Sequence, residues 1–329
     1  MNNRRKLVIA LGAGALITPL ASYSQQPTSR MRRIGFLGTT SAASIEKRLV
    51  AFRSGMRELG YVEGENLVIE FRWAEGKFDR LPELAAELVR LKVELIVTAS
   101  TPGVLAAKQA TTAIPIVMAA QGDSVATGTV ASLARPGGNI TGSNFFAPQL
   151  YAKRIELLKE VLPQTRRIGF LSNPGTAPSP QESFKVMSVT AKSLKVELQA
   201  FEETGPQDFE SVFAEMAKRR VAAIAVQDEP ILNANAALVA SIAARHRIAA
   251  IGSPEFAAAG GLMGYGPDQS TLWRRAAYFV DRIFNGAKPA DLPIEQPMRF
   301  ELVLNMKTAK ALGIKISNSF LVQATKVIE

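Results

Sequence analysis

One six-residue sequence occurs twice in this chain, and it constrains the fold more than any other feature. Arg-Arg-Ile-Gly-Phe-Leu stands at residues 32–37 and again at residues 166–171. Each copy runs from two basic residues into a short apolar stretch, followed by turn-forming residues at 38–41 and 172–175. A short apolar stretch bounded by turns is typical of a strand buried on both faces of a parallel sheet. The repeat therefore predicts two α/β lobes that each open with the same strand.

Amphipathic helices alternate with short apolar strands after both copies. This alternation predicts parallel sheets with right-handed crossovers. A length of 329 residues suits two lobes of roughly 100–150 residues each. We therefore predict the α/β fold class, with two Rossmann-like lobes built on parallel sheets. Lobe 1 is expected over residues 31–145 and lobe 2 over residues 146–266.

Three further segments carry structural predictions of their own. Residues 127–133 are predicted to be helical, and a long helix is predicted to begin at Tyr265 and to run to Phe284. An extended, proline-containing segment that crosses between the lobes is predicted over residues 293–304. The sequence pattern alone allows the pieces after residue 266 to belong to either lobe.

Residues 1–24 have the composition of an export signal. Arg4, Arg5 and Lys6 precede an uncharged segment over residues 7–21, and small and polar residues follow it. This order is typical of a secretory signal peptide, and the apolar segment is short for a membrane span. The paired arginines also loosely fit a twin-arginine signal. We predict a signal peptide over residues 1–24, export by the Sec or the Tat pathway, and a periplasmic location.

The residues that most enzymes and metal proteins need are scarce. The chain contains no cysteine, which argues against a lipid-anchored cysteine, disulfides and thiolate metal sites. Its one histidine, His246, stands at the end of a predicted helix, where the helix dipole favours a positive charge. The sequence has no serine nucleophile elbow and no Walker phosphate loop in its globular part. We therefore expect no enzymatic activity, no cofactor and no metal.

The net charge does not indicate a nucleic-acid partner. The formal charge is +10, of which the predicted signal contributes three positive residues, so that +7 belongs to the mature chain. Basic residues are interspersed with acids, as in Lys153-Arg154-Ile155-Glu156, and no basic block carries interleaved aromatic residues. Solvated helix faces explain most of this charge, and nucleic-acid binding is not expected.

Small polar residues stand at the predicted carboxyl ends of the strands. In open α/β sheets ligands bind at that edge, although each such residue alone is also an ordinary helix N-cap. Hydroxyls and helix-start N–H groups suit a carboxylate, while Asp228 or Asp123 can accept hydrogen bonds from an ammonium or hydroxyl group. Tyr265 can either stack on a ligand or brace the chain crossing. The candidate ligand-binding residues are Thr40, Ser41, Ser100, Thr101, Gln121, Asp123, Asn173, Asp228, Glu229, Ser253 and Tyr265.

Several longer stretches resemble one protein family. They include Arg57-Glu58-Leu59-Gly60-Tyr61-Val62-Glu63-Gly64, Arg72-Trp73-Ala74-Glu75-Gly76, the run Leu-Ala-Arg-Pro-Gly-Gly-Asn-Ile-Thr-Gly at 133–142, and Gly-Ala-Lys-Pro-Ala-Asp-Leu-Pro at 286–293. These stretches resemble the ABC transporter substrate-binding family that includes the tryptophan/tyrosine-binding proteins. The resemblance covers nearly the whole mature chain.

The resemblance implies a type I periplasmic-binding fold, whose two lobes are joined by a three-crossing hinge and close on a small molecule. On that fold, residues 267–292 return to lobe 1 and residues 305–329 return to lobe 2. The resemblance also implies a monomer that serves as the binding component of an ABC importer, with a permease in the inner membrane as its partner.

The expected ligand is an amino acid or an aromatic or other small carboxylate. Ser41, Ser100 and Thr101 are expected at its carboxylate, with Asp228 at an amine or hydroxyl and Tyr265 at the apolar body. A branched aliphatic acid or a urea-like amide is an alternative ligand. A periplasmic sensor that passes its closed form to a membrane receptor is the main alternative function. An exported hydrolase is a further one, disfavoured by the missing nucleophile motifs.

Overall fold

The two copies of the repeat form central strands of two separate sheets. These sheets are seen in a computed structural model, which describes residues 31–145, 147–176 and 179–329. The signal peptide predicted over residues 1–24 lies outside the described residues.

The first sheet has five strands, and every neighbouring pair in it is parallel. The strands lie in the order β2-β1-β3-β4-β5. The elements of this part are β1 (Arg32–Gly38), α1 (Glu46–Glu58), β2 (Leu67–Trp73), α2 (Leu81–Arg90), β3 (Leu95–Thr98), α3 (Thr101–Ala110), β4 (Ile116–Gln121) and β5 (Ile140–Asn144).

The second sheet has seven strands, in the order β12-β11-β10-β9-β8-β6-β7. All neighbours are parallel except β10 and β11, which are antiparallel. The remaining elements are α4 (Ala147–Val161), β6 (Arg167–Ser172), α5 (Ser179–Ser193), β7 (Glu197–Glu202), α6 (Phe209–Lys218), β8 (Ala223–Val226), α7 (Pro230–Ala234), α8 (Ala236–Arg245), β9 (Ala249–Gly252), α9 (Pro254–Ala258), β10 (Met263–Gly266), α10 (Gln269–Phe284), β11 (Glu301–Asn305), α11 (Met306–Leu312), α12 (Asn318–Leu321) and β12 (Lys326–Ile328).

The repeated strands occupy equivalent positions in the two sheets. Strand β1 lies between β2 and β3, and β6 lies between β7 and β8. Ile34 and Ile168, at the same position of the repeat, are both fully buried. Helices that pack on both faces bury such strands completely, which explains their unbroken apolar sequence. The prediction of an α/β fold with two parallel-dominated sheets is confirmed.

Helix α10 follows strand β10 of the second sheet but packs on the first sheet. It lies against α1 and against β4 and β5. Gly55 of α1 allows the close approach, because a Cβ atom there would lie 2.6 Å from the carbonyl oxygen of Arg274. The helix has 16 residues. No helix in the described part of the chain is both long and apolar enough to cross a membrane.

The chain passes between the two sheets three times. It leaves the first sheet after β5, returns to it after β10, and leaves it again before β11. The first and third passages lie side by side, since the backbone N–H of Asn144 donates to the carbonyl of Glu295 at 2.8 Å. The hydroxyl of Thr141 in β5 also donates to the carbonyl of Leu292, which lies just before the third passage.

The helix predicted over residues 127–133 is wrong, because this segment forms successive turns. Asp123 accepts hydrogen bonds from the backbone N–H groups of Val125 and Ala126, which favours a local turn over a helix. Gly128 then has a φ of +67°, which a right-handed helix does not allow.

One prediction for the C-terminal third needs a correction. Tyr265 does not begin a helix but lies in strand β10, and the helix α10 begins only at Gln269. The crossing predicted as extended over residues 293–304 includes strand β11, which pairs with β10. Glycines at 264 and 266 made β10 resemble a turn in the sequence, although Gly264 is needed because a Cβ atom there would lie 2.3 Å from the carbonyl oxygen of Ser253.

Candidate functional site

A cavity of about 70 Å³ lies where the carboxyl ends of the strands of both sheets meet. This volume is the space open to the centre of a water molecule, and one water needs only about 10–15 Å³ by that measure. The cavity therefore has room for a small organic molecule. Its walls combine apolar side chains such as Phe36 and Phe145 with polar side chains from both sheets.

The structure brings five of the predicted site residues to this cavity. They stand two or three residues after the ends of β1, β3 and β8. The five are Thr40, Ser100, Thr101, Asp228 and Glu229. The hydroxyl of Thr40 accepts a hydrogen bond from Ser44, which also lines the cavity.

The other six predicted residues are not part of the cavity wall. Ser41 lines a neighbouring groove at the rim. Gln121 donates to the hydroxyls of Thr127 and Thr129, and Asp123 caps the turn that follows β4. The amide of Asn173 donates to Glu203. Ser253 caps α9, and Tyr265 stacks on Phe300.

Ser100 has an unusual backbone conformation at the start of helix α3. Its φ of 64° and ψ of 161° lie in a region that non-glycine residues rarely occupy, so the residue is strained. Although Ser100 is the N-cap residue, its side chain makes no capping hydrogen bond. Its Oγ is buried and has no hydrogen-bond partner among the described residues. Strain and an unused hydroxyl at a cavity wall are typical of a residue that contacts a ligand.

Trp273 of α10 contributes a second unused donor to the same cavity. The side chain is 2% exposed and packs against Phe36, with ring centroids 5.9 Å apart. The indole Nε1 is buried without a hydrogen-bond partner in the described part of the chain. A buried N–H without a partner costs about 1–3 kcal/mol, which a ligand acceptor would offset.

Asp228 enters the cavity wall as half of a buried ion pair. Its carboxylate receives two hydrogen bonds from the Arg154 guanidinium of α4, at 2.7 and 3.1 Å. The other Arg154 donors bind the backbone carbonyls of Val226 and Tyr265, so that all five N–H groups are used. The backbone N–H of Asp228 donates to the Tyr151 hydroxyl. Burial raises the pKa of Tyr151, which therefore stays neutral.

Glu229 is a buried carboxyl at the start of α7. It accepts hydrogen bonds from the backbone N–H groups of Ile231 and Leu232. Burial, followed by the nearby charge of Glu203, raises the pKa of Glu229 to about 8, although the two backbone donors lower it. Burial likewise raises the pKa of Glu203 to about 7, against the effect of a hydrogen bond from Asn173. Both carboxyls therefore carry a proton for much of the time near neutral pH.

Arg48 brings a positive charge to the cavity from the side of the first sheet. Its guanidinium lies 3.8 Å from a carboxylate oxygen of Glu255, which belongs to α9 on the second sheet. The Arg48 side chain is 17% exposed and that of Glu255 43% exposed, so this ion pair between the lobes is partly screened by water.

Sequence reasoning did not name Arg48, Arg154, Tyr151 or Trp273 as site residues. A signal for Arg154 was present, since it shares one helix face with the apolar residues Leu150, Leu157 and Leu158. A charged residue within an apolar stripe indicates a buried partner. For Arg48 we find no comparable signal in the sequence.

Two parallel-dominated sheets with a cavity at their joint edge define the class of protein. It has a type I periplasmic-binding fold. The chain belongs to the family of ABC transporter substrate binding proteins, whose sequence model matches residues 34–328. The family resemblance seen in the sequence is thereby confirmed.

Three comparisons illustrate this relationship. A tyrosine-binding protein from Clostridioides difficile (strain R20291) is 26% identical over 289 residues, which make up 88% of this chain and 83% of the relative. The solved structure of an ABC domain in complex with L-Trp from Streptococcus pneumonia is 27% identical and has a TM-score of 0.82, with 90% of this chain and 100% of that chain covered. A leucine-binding protein from Thermotoga maritima, at 14% identity, a TM-score of 0.60 and coverage of 78% and 83%, shares the fold.

Proposed function

We propose that this protein is the periplasmic binding component of an ABC importer. Its two lobes close on a small organic solute, either an amino acid or an aromatic or other small carboxylate, and the closed form docks on a permease in the inner membrane. Closure of two lobes around a ligand is a hinge-type transition. The protein acts as a monomer, and it binds its solute without chemical change.

One observation carries this proposal. The cavity is lined by the carboxyl edges of both sheets, and two buried donors in its wall, the Ser100 hydroxyl and the Trp273 indole N–H, have no partner among the described residues. Such donors are costly in the folded protein unless a ligand satisfies them. Both groups can donate a hydrogen bond and so hold an acceptor atom of a ligand in place.

The relatives support the choice of ligand class. One is described as a tyrosine-binding protein and another was solved with L-Trp. The apolar wall of the cavity here suits an aromatic or branched body of that kind. The signal predicted at residues 1–24 supports export to the periplasm.

Thermal unfolding with and without ligand tests the binding function. The purified protein is screened against amino acids, aromatic acids and small amides. A ligand present at 100 times its dissociation constant should stabilise the protein by about 2.7 kcal/mol, which shifts the melting temperature visibly.

Trp273→Phe should weaken binding, while Tyr265→Phe, outside the cavity, should not. A screen in which no solute shifts the melting temperature would contradict the proposal. Loss of solute uptake by cells that lack the protein tests the importer role separately.

A further inference from the structure

The unused hydrogen-bonding groups of the cavity are suited to a negatively charged group on the ligand. Trp273 Nε1 is a donor only, so the ligand atom that it meets must be an acceptor. The start of α3, a helix of ten residues, adds backbone N–H groups that have no partner within the helix, and its dipole favours an anion. Ser100 Oγ lies at that helix start with its hydrogen bonds unused. Each of these groups lines the cavity and can donate a hydrogen bond to a carboxylate.

No acid in the cavity wall is free to receive an ammonium group. The acids among the described lining residues are Asp228 and Glu229. The charge of Asp228 is cancelled by the two-point pair with Arg154, whose side chain is fully buried. Glu229 already accepts two backbone N–H groups, and burial raises its pKa to about 8. An ammonium group placed here would lose its water and gain no unpaired negative charge.

The remaining charged group in the wall is positive. Arg48 lines the cavity, and its partner Glu255 lies 3.8 Å away and is 43% exposed, so the pair is held weakly. With the acids neutralised, the field inside the cavity favours a molecule with one net negative charge over a zwitterion.

We propose that the preferred ligand is a small carboxylate that has an apolar body and no charged amino group. This inference rests on the binding function proposed above and narrows its ligand class. Arg154 is a positioning residue in this arrangement. Its positive charge cancels the negative charge of Asp228. The Asp228 carboxylate can then accept a hydrogen bond from a ligand only as part of a neutral pair.

Matched pairs of ligands that differ only in the amino group test the proposal. Titration calorimetry on the wild-type protein compares tryptophan with indole-3-propionate, phenylalanine with 3-phenylpropionate, and leucine with 4-methylpentanoate. Within each pair that binds, the acid without the amino group should bind at least about tenfold more tightly. Tighter binding of the amino acid would overturn this inference and leave the proposed function intact. If no solute of any class binds, the proposed function fails as well.

Variants of Arg154 test its role through selectivity, which a merely structural residue would not alter. In Arg154→Met, Asp228 is left with an uncompensated charge, so the preference should move towards the amino acid of each pair. Arg154→Lys keeps the positive charge and should retain the wild-type preference. The double variant Arg154→Met with Asp228→Asn carries no charge at either position, so it should also retain the wild-type preference. An unchanged selectivity in Arg154→Met, or equal selectivity in all three variants, would overturn this role. Should Arg154→Met not fold, Asp228→Asn tests the role from the other side. It leaves Arg154 positive without its carboxylate partner, so the preference for the acid should exceed that of the wild type, and an unchanged preference would overturn this role.

Discussion

Arg154 Nη2 lies 2.7 Å from Asp228 Oδ2, and the two side chains are only 0% and 5% exposed. The pair joins helix α4 to the carboxyl end of β8 across 74 positions of sequence. Because Arg154 also binds the carbonyls of Val226 and Tyr265, it ties two strand ends to one helix at the cavity. The same contact thus fixes both the charge of the wall and its shape.

Removal of the arginine from this pair should destabilise the protein strongly. Arg154→Met leaves the Asp228 carboxylate buried without its partner, which typically costs about 3–5 kcal/mol in the free energy of unfolding. Urea denaturation followed by circular dichroism measures this loss. Lys153→Met is the matched control, since Lys153 is exposed on the same helix and its surface pair with Glu156 contributes little. Equal stabilities for the two variants would show that the buried pair is not needed.

The stability of the protein should fall as the pH rises through the neutral range. Burial raises the pKa of Glu203 to about 7 and that of Glu229 to about 8, from an ordinary value of 4.5 in the unfolded chain. Between about pH 5 and pH 8 the folded protein therefore binds more protons than the unfolded one, so the free energy of unfolding decreases with pH in this window. Melting temperatures measured at pH 5, 6, 7 and 8 without ligand test the sign.

A glutamine variant separates this effect from other titrations. Glu203→Gln keeps an oxygen for the hydrogen bond from Asn173 but cannot ionise, so its stability should fall less with pH than that of the wild type. Glu215→Gln changes an exposed carboxylate paired with Arg219 and serves as the control. A wild-type stability that rises between pH 5 and pH 8 would contradict the prediction.

Ser100 should show a conflict between stability and binding. Ser100→Gly relieves a backbone conformation that costs a non-glycine residue about 1–3 kcal/mol, so we expect a gain of about 1 kcal/mol in stability. Ser100→Ala removes the same unpartnered hydroxyl but keeps the strained backbone, so the difference in stability between the two variants measures the strain alone. Both variants lose the hydroxyl and should bind the carboxylate about tenfold more weakly.

Lys92→Gly is the backbone control for Ser100. Lys92 also has a positive φ, of 53°, but lies outside the cavity wall. Its replacement should stabilise the protein without any change in affinity. If urea denaturation finds Ser100→Gly no more stable than Ser100→Ala, the strain at this position is not significant.

Arg48 should contribute to the affinity for a carboxylate. Arg48→Gln removes the positive charge from the wall and the ion pair with Glu255, and we expect about a tenfold loss of affinity that becomes smaller at high salt. Arg274→Gln makes the same charge change in the pair with Glu58, away from the cavity, and should bind as the wild type does. Calorimetry at two salt concentrations measures both; equal affinities for all three proteins would exclude Arg48 from the site.

The strands were the part of the fold that the sequence predicted best. β1 and β3 are buried on both faces, and this burial demands the continuous apolar runs from which they were predicted. β10 was missed because two of its four residues are glycines, of which Gly264 is needed for close packing against Ser253 rather than for a turn. Residues 127–133 do not form a helix: Asp123 caps a turn just before the segment, and Gln121 donates to Thr127 and Thr129 within it. Helix propensity does not reveal these hydrogen bonds.

The sequence predicted only that the binding site lies at the carboxyl edge of the sheets, and not which side chains line it. Thr40, Ser100 and Asp228 could be placed there because carboxyl ends of parallel strands share one side. Whether such a residue faces the cavity depends on what its side chain binds: the amide of Gln121 turns away to two threonine hydroxyls. The Arg154 partner of Asp228 lies 74 positions away, and no local pattern connects the two.

The packing of α10 on the first sheet has a consequence for the order in which the chain can fold. Trp273, Phe279 and Val280 share one apolar core with Ile34 and Phe36, and Leu292 also belongs to that core. A chain synthesised only as far as β10 therefore lacks one covering layer of its first sheet. The N-terminal half cannot complete its core before residue 292 is available, so both halves reach their final stability late, when nearly the whole polypeptide has been made.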